Sequence, residues 1–166
     1  MTDDLIKFKL PASFVNGHVL LRSNELAYGY VHGWLDESAV IVIAEHELAL
    51  EMDLSQEVLE LALLLGDERD RVRDIISQIG LDGVDGAAGT WLYLVLAWLF
   101  EKQDVYEDPL QVVEGVYADF KYPQEIEGLV RFLPPPQGEA TGEDALKNRW
   151  LRYLNDQSRH FARRRS

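Results

Sequence analysis

His46-Glu47 resembles the start of a zinc-protease helix, in which two imidazoles one turn apart hold the metal and the intervening glutamate acts as base. Four residues after His46 stands Leu50, so the second imidazole ligand is missing and that chemistry fails. The four histidines, His18, His32, His46 and His160, have no short spacing that would place two on one helix face. Asp82 and Asp85 lie among glycines, but a calcium loop needs oxygen ligands at its first, third and fifth positions. Counted from Asp82, the third and fifth are Val84 and Gly86. Gly83, Gly86 and Gly89 lack the dinucleotide-binding spacing, and no Lys-Ser or Lys-Thr pair follows as in a phosphate loop. The serine-nucleophile signature Gly-x-Ser-x-Gly is absent, and without cysteine there is no thiolate nucleophile, zinc–thiolate site or disulfide. No catalytic residue, metal site or cofactor is therefore assigned.

Charge supplies what catalytic motifs do not. Asp67 to Asp74 is the densest cluster, with Asp67 and Arg71 at i,i+4 and Asp70 and Arg73 at i,i+3. Such pairs suit a solvated helix face, each contributing ~0.2–0.5 kcal/mol. Glu101, Asp104, Glu107 and Asp108 gather beyond an apolar segment, and Glu114 and Asp119 follow. These six are the candidate partner-binding residues, because an acidic face speeds association with a basic protein and opposes wrong partners. The other possibility is an enzyme or small-ligand protein whose site is assembled from distant residues, with Arg69, Arg73, His32 and the glycine segment as candidates.

The whole chain of 166 residues carries a net charge of −13, unevenly spread. Residues 1–146 hold 28 acids against 9 basic residues, a balance of −19; residues 147–166 hold 7 basic residues and Asp156, a balance of +6. The tail Arg159-His160-Phe161-Ala162-Arg163-Arg164-Arg165 has the charge to meet phosphates. The acidic body would repel a nucleic acid, so docking of the tail on that body is the preferred reading.

Helices must position these groups. Leu26, Tyr30, Val31 and Trp34 recur at helical spacing after Ser23 or Asn24 as N-cap, and Gly33 ends the run. Asp36 caps the next helix, although Val40-Ile41-Val42-Ile43 would suit a strand equally well. Asp53 or Ser55 begins a third, and Asp67 caps a fourth through Ile79, stopped by Gly80. Gly80 to Gly89 reads as a loop. Trp91 to Phe100 is uninterruptedly apolar but about half the ~20 residues of a membrane span, so it reads as a buried core helix. Asp108-Pro109 and Tyr122-Pro123 predict helices over 109–120 and 124–132. The first 22 residues alternate at Leu5-Ile6-Lys7-Phe8-Lys9-Leu10 and place Asn16-Gly17 between apolar pairs, which predicts a short β-hairpin.

The expected fold is mainly α: a compact multi-helix core over 1–133 with the short N-terminal β-hairpin, a Pro/Gly linker at 134–142, and a basic amphipathic C-terminal helix over 143–166. That helix is expected to dock on the core through Trp150 and Leu154, giving a single domain overall. The acidic N-terminus lacks a secretory pattern, so a cytoplasmic location is expected. Tyr28-Gly29-Tyr30-Val31-His32-Gly33-Trp34-Leu35, Asp53-Leu54 with Glu60 to Leu65, and Asp67 to Ile76 resemble a family of small uncharacterised bacterial proteins of unknown function. The likeness covers about residues 20–140. It implies a bacterial source and a compact domain, and carries no assigned active residues. The function expected is a non-enzymatic cytosolic protein-binding domain, in its most concrete version an immunity-type inhibitor that covers the basic cleft of a toxin.

Overall fold

The computed structural model describes residues 9–50, 54–79, 84–131, 133, 134, 138 and 142–163. The architecture is mainly α, and no strand occurs among the described residues. Contacts divide the chain into two compact units. The first gathers the described residues of Phe8–Trp91 and Phe161–Ser166, the second those of Leu92–His160.

In the first unit, α1 spans Ala12–His18, α2 Ser23–Val31, α3 Glu37–Ala49, α4 Gln56–Ala62 and α5 Arg71–Ser77. The caps follow from short polar side chains that satisfy the otherwise orphaned amides of a first turn. Asp36 Oδ1 accepts from Ala39 N at 2.8 Å, and Ser55 Oγ accepts from Val58 N at 3.3 Å. Glu25 Oε1 accepts from Arg22 N at 2.7 Å, so α2 is closed by the carboxylate of its own first turn. Gly33, at φ 87°, ends α2 in the left-handed region that glycine enters without a Cβ penalty. The chain then returns on itself through Trp34 N to Gly29 O at 3.0 Å.

Helix α3 is the hub of this unit, packing against α1, α2, α4 and α5. Its β-branched run is helical: Val40, Ile41 and Ile43 are buried, whereas Val42 faces solvent. Helical spacing lets three of the four side chains meet neighbouring helices, and that burial outweighs the weak local preference for strand.

Four expectations need correction. The predicted fourth helix from Asp67 to Ile79 is broken into a 3-10 turn, Gly66–Glu68, and α5. Glu68 Oε1 turns back to accept from Leu65 N at 3.0 Å, which closes a tight turn before α5 can start. The glycine segment is not a loop throughout: α6 begins at Val84 and runs to Glu101, so Gly86 and Gly89 are helical. Each glycine costs a helix roughly 1 kcal/mol, offset here by burial of Ala87, Thr90 and Trp91 in the same turns. Residues 80–83 of that segment lie outside the described residues. The helix predicted over 124–132 is instead a 3-10 segment, Gln124–Leu129, kinked at Ile126, whose φ of −117° is not helical. The turn before it holds Lys121 and Tyr122 at positive φ, and the kink accompanies complete burial of Ile126. The hairpin is not found: Asn16 and Gly17 lie inside α1, and residues 5–8 of its first strand are outside the described residues.

The second unit is built on the apolar end of α6, where Leu92, Leu94, Val95, Leu96 and Leu99 are essentially inaccessible to solvent. Helix α7, Pro109–Asp119, begins with Asp108 Oδ1 accepting from Gln111 N at 3.4 Å and buries Leu110, Val113 and Val116. Helix α8, Glu143–Ala162, buries Leu146, Trp150 and Leu154 on one face. The Trp150 indole donates to Leu96 O at 3.1 Å and meets Phe100 edge-on at 5.0 Å, so its ring is packed and its N–H satisfied. Arg149, on the same helix, donates from Nε to Gly128 O at 2.7 Å.

Candidate functional site

The six predicted partner-binding acids separate into three groups. Asp108 and Glu114 are joined by Arg131, whose Nε lies 2.9 Å from Glu114 Oε2 and whose Nη2 lies 3.0 Å from Asp108 Oδ2. These bonds raise the affinity of the guanidinium for its proton, the Glu114 hydrogen bond most of all. Two of the six acids thus share one cation that sequence spacing did not reveal, 23 residues from Asp108 and 17 from Glu114, so the cluster keeps a single net negative charge. Asp119 is half-buried at the end of α7. Glu101, Asp104 and Glu107 remain exposed on the stretch from the end of α6, through the 3-10 turn Gln103–Val105, to the segment before α7. Val105, 75% exposed, stands among them, and Lys102 is drawn over the Trp98 ring at 5.0 Å.

A wide cleft of about 750 Å³ in the same unit is lined in part by Glu125, Leu129, Arg149, Arg152, Tyr153 and Asp156. Burial pushes the Tyr153 phenol far above its ordinary range, and Glu125 and Tyr93 add to the effect. Both charge signs face this cleft beside apolar surface.

In the first unit, sequence reading missed a buried pair of carboxylates. Glu25 is 2% exposed; its Oε1 takes the Arg22 amide and its Oε2 the hydroxyl of Thr90. Glu47, on α3, is 7% exposed, and its Oε1 has no hydrogen-bond partner. Burial, followed by repulsion from Glu25, pushes the Glu47 carboxyl up to about 7. Glu47 had drawn notice only as half of His46-Glu47, because helical periodicity does not distinguish a buried glutamate from a solvated one.

The weaker candidates are distributed around that unit. His32 Nδ1 donates to Tyr28 O, 2.9 Å away, and its ring stacks on both Tyr28 and Trp34. Arg69 is exposed in the turn before α5. In the charge cluster Arg71 pairs with Glu68 at 3.1 Å, a partner other than the Asp67 that spacing suggested. Hydrogen bonding from Leu65 N, then from Arg71, holds the Glu68 carboxyl below its ordinary range. Arg73 lines a second cavity, of about 390 Å³, with Lys9, Tyr30, Leu35, Glu37 and Ser77 among its neighbours. Among the described residues no three histidines or carboxylates assemble into a group able to hold a metal ion, and no helix is long and apolar enough to cross a membrane.

No curated protein and no solved structure matches the chain. The profile of one family, described as uncharacterized protein conserved in bacteria, matches residues 12–158 and so spans both units. The resemblance first drawn from Gly29 to Leu35 and Asp53 to Ile76 lies within that match, and the chain belongs to this family, DUF2247.

Proposed function

We propose that the chain is a non-enzymatic protein-binding domain that receives a basic partner, and that it acts as an immunity-type inhibitor by covering the basic cleft of a bacterial toxin. The observation that carries this reading is the segment from Glu101 to Glu107, where three exposed carboxylates flank the exposed Val105 in the chain. Charges at the rim steer encounter and reject like-charged partners, while an apolar side chain at the centre gains from burial on contact. Asp108, which follows that segment directly, is tied to Glu114 through Arg131.

The test is affinity purification of the tagged chain from its host beside a triple variant, Glu101→Lys, Asp104→Lys and Glu107→Lys. A basic protein retained by the native chain, released by salt and lost by the variant supports the proposal. Identical retention by both, or the absence of a stable partner together with neighbouring genes unrelated to toxins, refutes it. A second reading, a small-ligand protein, draws support from the cleft beside Tyr153. Thermal-shift screening against metals and metabolites separates the two, since a ligand that binds only the folded state raises the midpoint.

A further inference from the structure

Elsewhere in this acidic chain, one concave site has the opposite electrostatic character. The cavity of about 390 Å³ in the first unit is floored by Leu35 and Ile76, which are 1% and 3% exposed, and rimmed by Lys9, Arg73, Tyr30, Glu37 and Ser77. Its volume is near the lower end of the ~300–1,000 Å³ typical of small-molecule sites. Two cations face one carboxylate in a protein whose net charge is −13.

Hydrogen-bond bookkeeping sharpens the contrast. The Tyr30 hydroxyl donates to Glu37 Oε2 at 2.8 Å and also meets the Arg73 side chain, so the carboxylate is engaged through the phenol. Burial, then Glu37, raises the Tyr30 phenol above its ordinary range, which keeps it a neutral donor. Lys9 Nζ gives one proton to Gly33 O at 2.8 Å, and an ammonium has three to give. A guanidinium carries five N–H groups, of which Tyr30 can occupy few. Ser77 Oγ donates to Asp74 O at 2.6 Å and so adds no donor. The pocket therefore holds a surplus of charged donors over an apolar floor.

We propose that this pocket binds a small organic anion, a carboxylate or phosphate monoester on a compact apolar body, with Arg73 and Lys9 holding the charged group and Leu35 and Ile76 receiving the apolar part. Arg73 is suited to this because its planar fork can grip two oxygens of one anionic group, whereas Lys9 acts as a mobile point charge. Arg73 and Ser77 are four residues apart on α5, so α5 presents them on one face together with Ile76.

Amide NMR titration of the full chain at constant ionic strength tests the proposal, with phenyl phosphate and benzoate as anionic probes and benzyl alcohol as the neutral control. Saturable shifts at Tyr30, Glu37, Arg73 and Ser77 with an anion, and none with the alcohol, are expected. A stronger response to phenyl phosphate assigns a phosphate monoester; a stronger response to benzoate assigns a carboxylate. Arg73→Gln should weaken binding by about tenfold, equivalent to one good charged contact, and Lys9→Gln by less. Both positions are exposed, so a dispersed spectrum is expected of each variant, and Lys9→Gln gives an independent reading. No saturable shift with either anion overturns the proposal, as does affinity unchanged in both variants.

Discussion

Replacing Glu47 with glutamine should reverse the ordinary effect of deleting a charge, by stabilising the protein above neutral pH and not below pH 5. The folded carboxyl titrates at about 7, against 4.5 for an unperturbed glutamate. Below 4.5 both folded and unfolded states hold the proton, so the group contributes no pH dependence. Between 4.5 and 7 the unfolded chain loses the proton while the folded chain keeps it, so stability falls as pH rises. Above 7 both states are ionised and the native state bears the full cost of a charge facing Glu25 with Oε1 unpartnered. At 1.36 kcal/mol per pH unit the interval corresponds to about 3 kcal/mol, and solvent at the edge of the site reduces this to about 2 kcal/mol. Urea unfolding of native and Glu47→Gln chains at pH 5 and pH 8 measures it. Any packing cost of the amide is common to both pH values, so the difference between the two pH values isolates the ionisation. Parallel stability curves for the two proteins across this range would refute the reasoning.

Other perturbations probe packing in each unit. At Gly29 an added Cβ would overlap the Cζ2 side of the Trp91 ring, which is fully buried and donates from its indole nitrogen to Glu25 O. Gly29→Ala should therefore cost at least about 3 kcal/mol by overpacking, seen as loss of the cooperative urea transition or of soluble protein. Trp150→Ala should cost about 3–5 kcal/mol, the range for removing a large buried aromatic side chain, and should remove the indole N–H that Leu96 O accepts. Thermal unfolding with a midpoint like that of the native chain would contradict the assigned burial.

What was legible in the sequence depended on local rules. Asp36, Ser55 and Asp108 act as N-caps as their residue types predict, and Gly33 stops α2, because caps are settled within one turn of the chain. Burial of the segment from Trp91 to Leu99 followed equally from its unbroken apolar run. Two of the misreadings share a cause: tertiary burial overrode a local signal. Gly86 and Gly89 look like loop residues until Ala87, Thr90 and Trp91 bury the same turns. Pro123 is a good helix start, yet the segment after it kinks and buries Ile126. The Arg131 clamp and the Glu25–Thr90 contact join residues 17 or more positions apart, beyond the reach of any periodicity.

The same limit governs the electrostatic argument for a partner. Composition treats 29 acids as equivalent, but the fold assigns them different work. Asp36 caps α3, Glu25 closes α2 from within the core, Glu37 engages Tyr30, and Asp108 and Glu114 hold Arg131. A carboxylate engaged in this way contributes less to the outward field than its formal charge, because its paired cation or donors lie within a few ångströms. Attraction of a basic partner therefore depends less on the net charge of −13 than on where exposed acids lie close together. The segment holding Glu101, Asp104 and Glu107 meets that condition, and Val105 gives it apolar surface to bury. Neutralising acids already engaged inside the units should lower stability, whereas neutralising Asp104 and Glu107 should lower association and leave stability nearly unchanged.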